Sequence, residues 1–481
     1  MSDNLKQKTL NAIKWSVVDR FGQQAVQLII SILLARWLDV DVFGLIAMLA
    51  VFNALSFVLV DSGFGQALIR KRTNDQKELS TIFFFNLFIG ISLYLILFFS
   101  APLISNYYNT PELTKISRIV FLSIPLNALY LIPFVKLSMV LDYKSISKVN
   151  ILSTAISGSI ALVLALLNFG VWTLVWQLVS FHFFRFFSLF IFIRWKPTAY
   201  FSFDYIREHW KFSANLLGTS SLNAVFNNIY NFIFGKIFSS TVLGYYYQAN
   251  KQAETVNYSL VTLLTTTTFN VFSQVNDDLD RLRRILISFI SKSALISIPI
   301  CFFLIFSAED LIVVLIKEKW LPAVPFFQLI CIANIFAPLY TLNLNALNSI
   351  GLSKNTFRIE LFKKGLILLS IALLINQEAL IMITAYAVIS WISFFISTRE
   401  IKKALNYFWI HQLKDILPSI LIGIAIGIGC FAITMLDLTY LWSLILKGVI
   451  AAAIYLMIIR FFYKELVFNI LQRIKLILSK K

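Results

Sequence analysis

Nine ionisable side chains lie inside or at the edge of long apolar runs in this chain: Asp19, Arg20, Asp61, Lys136, Arg185, Lys251, Glu254, Lys292 and Lys447. A charge at the centre of a hydrocarbon layer costs roughly 2.5–3.5 kcal/mol, so each needs a partner, an aqueous face or a task. Guanidinium forks match phosphate oxygens in a two-pronged geometry, and ammonium groups attract them as point charges. Bases outnumber acids in this set, which makes Arg20, Arg185 and Lys251 the candidates for a phosphate-facing role. The carboxylates Asp19, Asp61 and Glu254 are the candidates for coupling to a proton or a sodium ion. A plainer account pairs Asp19 with a neighbouring base and Lys251 with Glu254 at i+3 on one helix. In the same account Lys447 and Lys292 extend along the lipid to the interface.

Uncharged polar residues share faces with these charges. Ser16, Arg20, Gln23, Gln24, Gln27 and Ser31 fall on one side of a helix by their spacing. Ser213, Ser220, Asn223, Asn227 and Asn231 form a second stripe, and Gln248, Lys251, Thr255, Tyr258, Thr262 and Thr265 a third. Lipid does not accept such faces, so they point at protein or water. Amides and hydroxyls along an aqueous cleft suit the hydroxyls of a sugar. The expected substrate path is therefore Arg20, Gln24, Gln27, Arg185, Asn223, Asn227, Lys251 and Thr255.

The elements that position these groups follow from composition. Of 481 residues, 59% are hydrophobic and 14% are charged, too few charges to cover a soluble protein of this length. Many apolar runs reach about 20 residues, the length of a helix that crosses a bilayer. The expected fold is an all-α polytopic integral membrane protein with about 14 transmembrane helices. The polar stripes fall on spans one (14–37), seven (212–237) and eight (245–271). The first span is too polar for a cleavable leader and is read as retained. Lys and Arg outside the spans favour one side by roughly five to one, the poor side holding only Arg36, Lys115, Arg118, Lys236, Lys317 and Lys319. Both termini are thus expected in the cytoplasm. The net charge of +18 belongs to the inner leaflet surface and not to nucleic acid. Residues 196–210 and the basic tail 463–481 are expected to lie on the membrane, the tail as an amphipathic helix.

Nothing points to covalent chemistry. No HExxH, P-loop or nucleophile elbow occurs, and the three cysteines and three histidines are scattered. NDDLDRLRR (276–284) lacks the glycine and terminal glutamate of a calcium loop and reads as a helix start. No metal or cofactor is expected, and no catalytic residue is assigned.

Parts of the chain repeat. ARWLDVDVFGLI (35–46) returns as GKIFSSTVLGYY (235–246), aligning Arg36 with Lys236, Val42 with Val242 and Gly44 with Gly244. FFSAPLI (98–104) echoes IFSAEDLI (305–312), and the mid-span prolines Pro125 and Pro338 correspond. These repeats suggest two pseudo-symmetric six-helix lobes, residues 1–200 and 201–400, with two further helices and the tail in 401–481. Lobes of six helices insert the same way up, with cargo handled between them.

LLARWLDVDVFGLIA (33–47) resembles the first-hairpin signature of bacterial Wzx-type polysaccharide flippases, within the multidrug/oligosaccharidyl-lipid/polysaccharide exporter superfamily. APLISNYYNTPEL (101–113), LDYKSIS (141–147), NFGVWTLVWQ (168–177), LGYYYQANK (243–251) and IKEKWLPAVP (316–325) extend the likeness over nearly the whole chain, nearest the colanic- and teichuronic-acid exporter branch. The resemblance implies a MATE/MOP-like fold in a bacterial inner membrane, alternating access, and an oligosaccharide on an undecaprenyl diphosphate carrier as cargo. Membrane lipids and other polysaccharide-assembly proteins would be its partners. Many family members are expected to carry an acidic residue in span seven; residues 210–250 contain none. Within the superfamily the rivals are a multidrug antiporter, which would favour an acidic lumen, and a lipid II-type flippase. A membrane polymerase or acyltransferase would need a larger outer loop than 105–116 or 308–321.

Overall fold

The computed structural model describes residues 3–193 and 195–462, apart from the side chains of 3–10, 13, 256–267, 461 and 462. The tail 463–481, expected to be amphipathic, lies outside the described residues, as do the side chains of Tyr258, Thr262 and Thr265. The described residues are helical and form two compact units that divide after Tyr247.

The first unit begins with the hairpin of α1 (Asp3–Trp37) and α2 (Val40–Asp61). It continues through α3 (Phe64–Lys71), α4 (Gln76–Tyr108), α5 (Leu113–Val120), α6 (Ser123–Met139), α7 (Tyr143–Leu166) and α8 (Val171–Phe192). It then takes in α9 (Phe203–Asn227), α10 (Ile229–Ile237) and the start of α11 (Ser240–Ser273). α1 lies along α7, where Gly22 admits Ile151 and Gly158 admits Ile30. α9 and α10 pack against α2, so the seventh span sits on the first hairpin.

The second unit holds the rest of α11, then α12 (Leu279–Phe306), α13 (Ala308–Ile316) and a short 3-10 turn. It continues with α14 (Val324–Asn334), α15 (Ala337–Ser349), α16 (Ser353–Leu374), α17 (Ala379–Leu405), α18 (Trp409–Thr434) and α19 (Tyr440–Phe462). Its core gathers Phe272, Leu286, Phe336, Leu339 and Phe394. Fully buried Asn343 donates to Ser397 (3.1 Å) and Gln412 (3.3 Å), joining α15 to α17 and α18. Asp278 caps α12 by accepting from the Arg281 N–H at 2.8 Å, so NDDLDRLRR is the helix start that its spacing predicts.

Among the described residues, 11 helical stretches are long and apolar enough to cross a membrane. The other three expected spans coincide with α9–α10, α11 and α16, whose polar content keeps them below that level. Both mid-span prolines sit just beyond a break. α5 gives way to α6 at Phe121–Leu122 before Pro125, and α14 gives way to α15 at Ile335–Phe336 before Pro338. A proline has no N–H for the preceding turn, which loosens the helix there.

One expectation changes, and the segment expected on the membrane surface gains definition. Residues 203–210 are the first turns of α9, and 195–202 form an irregular strap on the N-terminal end of α4. The strap is held by Trp195 Nε1 to Gln76 (2.7 Å), Gln76 to the Lys196 carbonyl (2.6 Å) and the Thr198 N–H to Ser80 (2.9 Å). Tyr205 donates to Asp75 at 2.6 Å, which holds Asp75 below the usual carboxylate range and pushes Tyr205 up to about 12. Lys447 does not extend to the interface. It is buried on α19, paired with Asp310 of α13, whose carboxylate also accepts from Ser443 at 3.0 Å.

That pair yields a stability prediction. Lys447→Met leaves the Asp310 charge buried alone and costs about 3–5 kcal/mol. Replacing both, as Lys447→Met with Asp310→Leu, recovers most of that loss. Thermal melting of the detergent-solubilised protein compares the two; equal melting of the single and double variants would contradict the assignment.

Candidate functional site

The expected site residues fall in both units: Asp19, Arg20, Gln24, Gln27, Asp61, Arg185, Asn223 and Asn227 in the first, and Lys251, Glu254 and Thr255 in the second. In the first unit α1 turns two faces to different surroundings. Asp19 faces α7 and accepts two hydrogen bonds from the Asn150 amide, both 3.1 Å. Arg20 and Gln27 are exposed and Gln24 is half-buried. Asn223 and Asn227 of α9 are likewise exposed. Asn231, the last member of that stripe, is buried and donates to Asn228 (3.3 Å) at the break between α9 and α10. It therefore shapes the break instead of lining a path.

Arg185 is held by aromatic rings. Its guanidinium lies 4.3 Å from the Tyr130 ring centre, 5.4 Å from Phe134 and 5.8 Å from Phe181. It donates to the Tyr130 hydroxyl at 2.8 Å, and that hydroxyl donates to Asn127. His182 stacks on Tyr130 with centroids 6.0 Å apart. Arg185 also lies within electrostatic range of Asp19, and Asp61 within range of Tyr130. One polar cluster thus links α1, α2, α6, α7 and α8. Arg185 Nε, His182 Nδ1 and Asn150 Oδ1 are buried with no hydrogen-bond partner among the described residues. Arg185 and Asp19 were legible as in-span charges. Asn127, Tyr130 and Phe134 were not singled out, although their i, i+3, i+7 spacing puts them on one helix face.

In the second unit Glu254 is exposed and accepts from Asn250 at 3.0 Å. The expected Lys251–Glu254 pair is absent from the ion pairs among the described residues. Lys251 is half-buried, and its carbonyl accepts from the Thr255 hydroxyl at 2.8 Å. Asp61, at the end of α2, accepts from the Gly65 N–H.

Glu78, Glu208 and His209 also converge, with ligand atoms all within 4.8 Å of one another. Lys71 lies 3.0 Å from Glu78 and 2.8 Å from Glu208, and His209 lies 2.5 Å from Glu78. With Lys71 already between the two carboxylates, the cluster acts as a lock that fastens the start of α9 to α3 and α4.

Residues 33–325 match the family described as polysaccharide biosynthesis protein. The chain belongs to this family. Its relatives include the teichuronic acid biosynthesis protein TuaB of Bacillus subtilis, 22% identical over 90% of both chains. The lipopolysaccharide biosynthesis protein WzxC of Escherichia coli is 25% identical over 69% of this chain and 68% of its own length. Among solved structures, the lipid II flippase MurJ in an inward closed conformation superimposes with a TM-score of 0.76 at 16% identity, covering 95% of this chain and all of that one. An inward-facing MATE-family multidrug transporter gives 0.62 at 10% identity over 81% of this chain and 98% of its own. This member of the polysaccharide biosynthesis family thus has the MATE/MOP fold that the motif resemblance implied.

The Arg185 cage can be tested by a double-mutant cycle. Tyr130→Phe keeps the ring and removes the hydroxyl that Arg185 needs, so its coupling to Arg185→Met should be about 1.5–3 kcal/mol, the range for a hydrogen bond to a charged group. Melting temperatures of the four proteins measure it; strictly additive effects would mean that the hydroxyl does not hold the guanidinium.

Proposed function

We propose that this protein flips a polyprenyl-diphosphate-linked oligosaccharide from the cytoplasmic to the outer leaflet of a bacterial inner membrane by alternating access. The single observation that carries the reading is the family match over residues 33–325, joined to relatives named for teichuronic acid and lipopolysaccharide biosynthesis. The side chains support the same cargo. Arg20, Gln24, Gln27, Asn223 and Asn227 remain exposed or half-buried on helices that lipid would not tolerate in that state. Cations serve the diphosphate and amides serve the sugar hydroxyls; in the second unit Lys251 and Thr255 offer the same chemistry. No covalent step is required, because cargo leaves chemically unchanged.

Coupling to an ion gradient falls to Asp19 or Asp61 in this reading. Asp19 has a single uncharged partner in Asn150, and Asp61 accepts a backbone N–H, so neither charge is cancelled by a bonded base. The charge bias of the loops supports both termini in the cytoplasm. The MurJ superposition favours one second reading, a lipid II-type flippase with the same machinery and a different sugar head.

Deleting the gene should trap lipid-linked repeat units on the cytoplasmic leaflet, and purified protein in liposomes should move them across. Absence of both effects would overturn the proposal. Arg20→Ala and Lys251→Ala should each lower transport at least several-fold without lowering the amount of protein in the membrane. Wild-type transport in both would remove the phosphate-facing assignment.

A further inference from the structure

The repeated hairpin tips meet each other. α1 ends at Trp37 and α2 starts at Val40; α10 ends at Ile237 and α11 starts at Ser240, each pair 200 positions apart. Gly44 lies in the first turns of α2, and a Cβ there would come within 1.9 Å of the Ser240 carbonyl oxygen. Gly244 lies at the matching place in α11, and a Cβ there would come within 2.2 Å of the Val40 carbonyl oxygen. Val40 and Ser240 are themselves corresponding positions. Each glycine therefore packs on the first residue of the other's helix, the self-complementary contact that a two-fold axis generates. Both obstacles are backbone atoms, so no rotamer change relieves them. At Gly158, by contrast, an added Cβ would meet only the side chain of Ile30.

A collar surrounds this contact. Gly235 admits Met48 and Tyr108, and the Tyr108 hydroxyl donates to the Met48 carbonyl at 3.2 Å. Tyr107 stacks on Phe232 at 5.3 Å, and Phe52 meets the same ring edge-on at 6.2 Å. Lys236 donates to the Tyr107 carbonyl at 2.6 Å and sits 4.9 Å from that ring. The collar lies at the end of the first unit where Lys and Arg are scarce. It lies at the opposite end of α2 and α4 from the lock of Lys71, Glu78 and His209.

Resting on the flippase reading above, we propose that this two-fold glycine seam seals the path at the basic-poor end and must part each time cargo leaves there. Small residues let helices approach to backbone contact, where short-range packing and Cα–H···O contacts hold them. Such contacts vanish within a small displacement and leave no unpaired charge behind. A gate built this way closes tightly and opens without stranding an ion in a low dielectric.

The test uses Phe52→Cys as a reporter beneath the seam; the native cysteines Cys301, Cys331 and Cys430 are buried. Intact cells are treated with a membrane-impermeant maleimide. Gly44→Leu and Gly244→Leu should each raise labelling of the reporter several-fold, and to the same extent. Gly218→Leu, at a glycine with open space around it, should not. Unchanged labelling in both seam variants, with normal amounts in the membrane, overturns the proposal. Should the seam variants fail to insert, Tyr107→Cys with Lys236→Cys bridged by a reversible bis-methanethiosulfonate gives the second measure. Transport should stop on bridging and return on reduction, and undiminished transport by bridged protein would overturn the seam. Labelling reads the gate without cargo. A seam that opens in a protein that moves no lipid-linked sugar would sink the flippase reading and leave the gate standing.

Discussion

Hydrocarbon offers no partner to a peptide group or a charge, and that constraint orders this molecule. The backbone answers it with helices through most of the described residues, broken at short turns such as Phe121–Leu122 and Asn228 and at the strap 195–202. The side chains answer it by pairing. Lys447 finds Asp310, Asp19 finds Asn150, and Arg185 finds the ring and hydroxyl of Tyr130. Once those are accounted for, polar groups left exposed in the helices carry information. Arg20, Gln27, Asn223 and Asn227 are exposed on their helices, which is the state expected of a wall facing water.

Pairing also explains why the α1 stripe divides into two roles. Asp19 and Arg20 are neighbours in sequence and lie about 100° apart on a helix, so one faces α7 and the other does not. The in-span charges of α1 and α8 thus differ in surroundings: Asp19 and Arg185 have partners on neighbouring helices, and Arg20 is exposed. The cluster links five helices of the first unit, and its orphaned atoms at Arg185, His182 and Asn150 keep it polar at the core of an apolar body.

The hairpin tips show the same economy. Arg36 and Lys236 fall in the last turns of α1 and α10, and Asp39 and Ser239 stand just before α2 and α11. A base at a helix C-terminus and an acid or hydroxyl at the next N-terminus both suit the backbone dipoles. The charges interrupting that apolar run are therefore turn chemistry. The glycines at the fifth position of α2 and α11 do the different work of letting two hairpins touch.

By itself, the sequence determined the helices, the matching hairpin motifs and the residue types available to a path, because periodicity, caps and hydropathy are local properties. The helix start at NDDLDRLRR and the corresponding mid-span prolines Pro125 and Pro338 were readable at that range. Tertiary structure alone decided who pairs with whom. Asp310 lies 137 positions from Lys447 and Asn150 lies 131 from Asp19, separations that no i+3 or i+4 rule reaches. Locality also misled: Glu254 takes Asn250 instead of Lys251, since a helix surface offers several neighbours and only packing selects among them. The contact of Gly44 with Ser240 has the same origin. Spacing shows that two motifs match, and only folding shows that they face each other, because the facing depends on how α2, α9 and α10 pack.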